Sequence, residues 1–140
     1  MTEFKNFVKS QKNYSTLKNV VKTQRFTEPK LFYSGRELLK YLTYALKHSN
    51  KDIKHMYSKF FMDKTIAIMN NTKQAYKTPD KTLKIQCLEN VISDSEYIGA
   101  IIDMMIDEKF FDIKHGANII KSLGYIESQA SVWMEKIKNK

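Results

Sequence analysis

The side chains here with the clearest capacity for chemistry are cations. Arg36, Lys40, Lys47, Lys51, Lys54 and Lys59 fall in one part of a 140-residue chain of net charge +9. Lysines set along a surface neutralise phosphates and release counterions without reading base sequence. These six are the candidate phosphate contacts. The polyanion they point to is nucleic acid, RNA or DNA. The competing reading is a set of solvated lysine faces.

Other reactive groups form no convincing constellation. The sequence has no P-loop, no glycine-rich dinucleotide turn and no nucleophile motif. His48, His55 and His115 are scattered, and the Glu-x-x-His pair of a di-iron bundle is absent. Asp103, Asp107 and Glu108 share one side of a helix, but without partner ligands a solvated acidic face explains them more simply. The single Cys87 excludes an intrachain disulfide, and its apolar surroundings make it a structural thiol. The methionines read as core filling. A non-catalytic protein with no cofactor and no metal is expected.

The elements that position the cations are helical. With four Gly and two Pro, and apolar residues recurring at three and four, the chain reads as all-α. Ser34 and Glu37 form a capping box for a first helix, with Tyr33 and Leu38 as its hydrophobic staple. Leu38, Leu42 and Ala45 give its apolar stripe, and Arg36, Lys40 and Lys47 take the other face. A second helix spans about residues 51–76. Ile53, Met56, Tyr57, Phe60, Ala67 and Ile68 form its buried side, with Phe61 at the margin. Thr78 caps a third helix with Pro79 in its first position. Leu83, Cys87, Leu88, Val91, Ile92, Ile98, Ile102 and Met105 make its wide apolar face. Gly99 within that helix allows a neighbouring helix to come close.

Phe110 and Phe111 turn the chain, and Asp112 caps the fourth helix. There Ile119, Leu123, Ile126, Ala130, Trp133 and Ile137 alternate at intervals of four and three, the seam spacing of packed bundles. Gly116 and Gly124 are expected on one roughly shared side. Short joints make neighbours antiparallel, so the fold is an up-down-up-down four-helix bundle with a basic N-terminal extension. Residues 1–32 form that basic arm, with Phe4, Phe7 and Tyr14 among its lysines, and residues 33–140 form the bundle. Trp133, Ile126 and Ile102 are the expected core or assembly anchors.

Positive charge is concentrated in residues 1–77, whereas residues 78–112 are net acidic. A basic face on one subunit can therefore meet the acidic third helix of another, closing a ring if the rotation allows. No run of about 18 apolar residues exists to span a membrane, and no signal-peptide pattern follows the first lysines. A cytoplasmic protein is expected.

From Arg36 to the C-terminus the chain resembles a bacterial four-helix-bundle family. That family contains Avd, the accessory variability determinant of diversity-generating retroelements, and proteins encoded in intervening sequences of large ribosomal RNA genes. The stretches that carry the resemblance are RELLKYLTYALKHSNKDIKHMYSKFFMDKTIAIM and EYIGAIIDMMIDEKFFDIKHGANIIKSLGYIESQASVWMEK. In the family an apolar third helix meets a turn with an aromatic pair, here Phe110-Phe111. A fourth helix then ends in tryptophan followed by a basic residue, here Trp133 and Lys136. Where family members often carry arginines along the third helix, this chain has Asp94, Glu96 and Asp103. The resemblance implies a homopentameric assembly with a basic surface that binds nucleic acid. It also implies association with a reverse transcriptase and its template RNA, and no catalysis. The alternative is a structural or protein-interaction bundle with no reverse transcriptase partner, docking through its acidic helix and aromatic arm.

Overall fold

The structure is a computed structural model that describes residues 29–140. The expectations for the arm therefore lie outside the described residues, apart from its last few positions. Four helices follow one another: α1 (Lys30–Lys47), α2 (Lys51–Lys77), α3 (Lys81–Asp107) and α4 (Ile113–Lys138). Each packs on its neighbour in sequence, and α4 closes the ring against α1, with no diagonal contact. This is the antiparallel up-down-up-down bundle. The two longest helices, at 27 residues, span about 40 Å. None of the described helices is long and apolar enough to cross a membrane.

The chain enters α1 earlier than the capping box predicts. Pro29 is the N-cap, and its carbonyl accepts from the amides of Phe32 and Tyr33. Its locked φ favours a helix start, and the turn it adds buries Leu31 in the core. Ser34 thus lies inside the helix, where its hydroxyl donates to Gln129 Oε1 on α4 at 2.8 Å. The bundle accordingly takes in residues 30–32, which the sequence assigns to the arm.

Helix α2 is rotated relative to expectation. Met56 is 66% exposed, whereas Phe61 is 1% exposed and central. The buried side runs through Ile53, Phe61, Thr65, Ile68, Thr72 and Ala75. Thr65 and Thr72 can be buried because their hydroxyls donate to the carbonyls of Phe61 and Ile68 one turn back. Phe61 sits among Tyr57, Phe60 and Phe111, with ring centroids 6.2, 5.4 and 6.4 Å away. That aromatic cluster fastens α2 to the α3–α4 joint.

Thr78 ends α2 rather than starting α3. The cap of α3 is Asp80, whose carboxylate accepts from the amides of Thr82 and Leu83. A carboxylate placed one residue before the helix outcompetes a threonine two residues further out. Asp112 caps α4 as expected, accepting from His115 N at 3.1 Å. Between them, α3 closes with Phe110 N donating to Met105 O and Lys109 N to Ile106 O, a Schellman pair that places Lys109 at φ 63°.

The core stripes of α3 and α4 match the sequence closely. Cys87, Leu88, Val91, Ile98, Ile102 and Met105 are buried, as are Ile119, Leu123, Ile126, Ala130 and Ile137. Burial pushes the Cys87 thiol pKa up. Ser95 and Ser122 complete the two stripes unannounced.

Gly116 and Gly124 do not share a side. Eight residues at about 100° each leave them about 80° apart. Gly116 is buried against Ile106, and a Cβ there would lie 2.5 Å from Ile106 Cδ1. At Gly124 a Cβ would meet nothing within 4 Å. Gly99 touches α4 through Leu123 Cδ1, at 3.8 Å from an added Cβ, an ordinary contact.

Candidate nucleic-acid interface

The six predicted cations divide into three groups. Arg36, Lys40 and Lys47 form an exposed stripe along α1, within about 40° of one another around its axis. Lys47 also belongs to the second group, with Lys51 and Lys54, at the end of the bundle where α1 hands over to α2. These three are exposed and form no ion pair among the described residues. Lys59 stands apart, one turn from Asp63, whose carboxylate is 2.8 Å from its Nζ. That hydrogen bond raises the Lys59 pKa.

Lys40 is partly compensated within α1. Its Nζ is 2.9 Å from Glu37 Oε2 and 5.3 Å from the centroid of the Tyr41 ring. The hydrogen bond with Glu37 raises the Lys40 pKa. The Glu37 carboxyl is held below its usual range, chiefly by Lys40 and then by the Tyr33 hydroxyl. The same bond pushes the Tyr33 phenol up. Arg36 lies over the other side of this set, its guanidinium 5.5 Å from the Tyr33 ring centroid. One helix thus presents alternating cations and tyrosines braced by a single carboxylate.

A groove of about 440 Å³ opens beside this stripe, between α1 and α4. Tyr33 and Tyr41 enter it from α1, and Tyr125 enters from α4. Lys30 and Lys121 stand at its edge, and Glu37 is the one carboxylate lining it. The Ser34–Gln129 hydrogen bond crosses it. Ser122 is 94% buried in its wall, at 6% exposure, and its hydroxyl has no hydrogen-bond partner among the described residues. None of the tyrosines announces this groove in the sequence, because its two walls are far apart along the chain.

A second basic region was equally hidden. The antiparallel order brings the start of α1, the end of α2, the start of α3 and the end of α4 to one end of the bundle. Lys30, Lys73, Lys77, Lys81, Lys84, Lys136 and Lys138 gather there, opposed by Asp80 and Glu135. Lys84 is spent on the Ala75 carbonyl at 2.7 Å. The end with Lys47, Lys51 and Lys54 is more mixed, because the α3–α4 joint contributes Asp107, Glu108 and Asp112 to it. His48 and His115 stack there with centroids 5.3 Å apart.

The anchors Ile102 and Ile126 are fully buried in the core, and Trp133 is half-buried against it. Trp133 lines a cleft with Pro29, Leu31 and Tyr76 at the lysine-rich end, so the three anchors do not form one site. The acidic side of α3 is partly spent inside the subunit. Asp94 pairs with Lys64 of α2 at 3.3 Å, and Lys64 also lies 5.1 Å from the Tyr97 ring centroid. Among the described residues no three His, Cys, Asp or Glu side chains lie close enough together to hold a metal ion. No protein-family model, curated protein or solved structure matches the chain.

Proposed function

We propose that this chain is a non-catalytic nucleic-acid-binding accessory protein of the Avd kind. It binds template RNA and a reverse transcriptase in the cytoplasm, as a homo-oligomeric ring of five subunits. The observation that carries the nucleic-acid part is the row of Arg36, Lys40 and Lys47 continuing into Lys51 and Lys54, the last three with no ion pair among the described residues. Oligomer and polymerase partners rest on the family resemblance. Exposed Glu96, Asp103 and Asp107 on α3 offer a surface to which a neighbour's basic helices are complementary.

The test is a binding titration against RNA and DNA across a salt series. Single-stranded RNA is expected to bind without strong sequence preference, with log K falling by about 0.7 per phosphate contact for each unit of log salt. Replacing Lys47, Lys51 and Lys54 by Glu is expected to abolish the shift. Absence of binding at low salt, or an unaffected triple variant, sinks this function. Light scattering checks the subunit count, and a monomer at working concentration removes the ring. Capture of the polymerase encoded beside the gene checks the partner.

A second reading, a protein-docking bundle, is favoured by apolar exposure on α4 away from the groove. Ile113 and Ile120, about two turns apart on one side of the helix, are both exposed, Ile113 to 77%. That reading predicts partner capture indifferent to salt and lost in Ile120→Glu.

A further inference from the structure

We propose that the groove between α1 and α4 holds an unpaired nucleotide, its base stacked between Tyr125 and Tyr33 and its phosphates on the Arg36–Lys40 side. This inference rests on the nucleic-acid reading above and adds which form of the polymer is recognised and where.

Three features of the groove converge on that occupant. The first is its walls. Tyrosine rings from two helices face one space of about 440 Å³, within the range of small-ligand sites, about 300–1,000 Å³. Tyr33 and Tyr125 are half exposed, and although Arg36 lies over one face of Tyr33, the pair can offer ring surface to the groove without unfolding anything. Aromatic faces take any base, because every base has a π-face. A base inside a duplex is already stacked on both sides and cannot enter.

The second is charge. Lys30 and Lys121 flank the opening, and the stripe of Arg36 and Lys40 runs parallel to the groove on the same helix. The one carboxylate in the lining, Glu37, is tied to Lys40 at 2.9 Å. Its charge is therefore offset where a phosphate would approach. A cationic track beside aromatic platforms is how single strands are held: the track follows the backbone and the platforms take the bases.

The third is Ser122. Its hydroxyl is buried in the groove wall with no hydrogen-bond partner among the described residues, while the other buried hydroxyls among them, those of Thr65, Thr72 and Ser95, each have one. A polar group left unbonded in a cleft is satisfied by what enters the cleft. Asn118 and Gln129 on the same helix side supply amides that can bond the edge of a base. Ser122 thus points to a polar, hydrogen-bonding guest, which a purely apolar peptide side chain is not.

The experiment compares one fluorescein-labelled 12-nucleotide RNA as single strand and as duplex, by anisotropy at fixed salt, against the full chain. Tyr125→Ala is expected to weaken single-strand binding about ten- to a hundredfold and to change duplex binding less than twofold. Tyr125→Phe keeps the ring and is expected to bind like the parent. Ser122→Ala is expected to lower single-strand binding several-fold while leaving thermal stability unchanged or raised, since it removes an unbonded hydroxyl. If Tyr125→Ala and Ser122→Ala bind the single strand as the parent does, the groove is not the site. The nucleic-acid reading then survives on its salt dependence and on the lysine variants. Equal losses on single strand and duplex also overturn the groove, because they mark a loss of general charge binding or of folding. If the parent binds neither form, both proposals fall together.

Discussion

Gly116 and Gly124 lie on one helix, yet alanine should act on them in opposite directions. In a helix interior Gly→Ala gains about 1 kcal/mol from the backbone alone. At Gly124 nothing lies within 4 Å of the new Cβ, so that gain should appear undiminished. At Gly116 the new Cβ lies 2.5 and 2.6 Å from Ile106 Cδ1 and Cγ1. Carbon atoms rest about 3.5–4.0 Å apart, so Ile106 or the helix must move by about 1 Å. Forced movement of that kind in a packed interior costs about 1–3 kcal/mol. Gly116→Ala should therefore be neutral to destabilised by about 2 kcal/mol. The backbone gain is common to both variants and cancels in their difference, which isolates the packing cost of about 1–3 kcal/mol. Urea denaturation of the parent and the two variants gives that difference directly, provided the slopes agree. Ile106→Ala removes both clashing carbons, and in that background Gly116→Ala should become stabilising by about 1 kcal/mol. The α3–α4 packing described here is refuted if Gly116→Ala is as stable as Gly124→Ala in the parent background.

Three further outcomes are expected. Lys109→Gly should stabilise the fold by about 0.5–1 kcal/mol, because Lys109 holds φ 63° and a left-handed residue with a Cβ costs about 1–2 kcal/mol before glycine's own entropy is subtracted. An unchanged or lower melting temperature would contradict the Schellman geometry. Phe61→Ala should cost about 3–5 kcal/mol, whereas Met56→Ala, on the exposed side, should cost under about 0.5 kcal/mol, as measured by thermal melts. The reverse order would restore the helix phase predicted from sequence. Acid titration tests the α4 cap. The Asp112 pKa is lowered in the folded state, first by the His115 amide, so its contribution is complete above the unfolded value near 4 and is lost as pH falls through the folded value. Asp112→Asn keeps a cap but cannot titrate, so its stability should fall less steeply below pH 4 than the parent's. Parallel curves would show that this carboxylate plays no part.

Most of the architecture was legible because α3 and α4 have one wide apolar stripe each, and Leu88, Ile98, Ile102, Ile119 and Ile126 can face only one way. Helix α2 was harder. Phe60 and Phe61 are adjacent, and apolar residues occupy more than one side, so the stripe alone leaves two phases open. Thr65 and Thr72 decided it, and they read as polar until their hydroxyls are seen bonding the preceding turn. Two helix starts failed for a related reason. Ser34 and Thr78 have the right type and spacing for caps, but Pro29 and Asp80 were better placed to supply the carbonyl or carboxylate. At the candidate site the cations Arg36, Lys40 and Lys47 were readable because they share one helix. The groove was not, since Tyr33 and Tyr125 meet only after α4 has closed on α1. The basic end assembles four separate stretches and leaves no local mark.

That closure also sets how the molecule opens. Three of the four seams join helices consecutive in the chain, each tied by a short joint. The α1–α4 seam alone joins the two ends of the bundle, and at 18 residues α1 is the shortest helix. Part of that seam is groove rather than packed side chains, crossed by the Ser34–Gln129 hydrogen bond. Both seams of α1 are less extensive than those joining α2 to α3 and α3 to α4, so α1 should detach as a unit while α2, α3 and α4 remain together. Its amides then exchange with solvent at a lower free energy than those around Ile98 and Ile126. A ligand in the groove would grip both sides of the α1–α4 seam and bring α1 up to the protection of the rest.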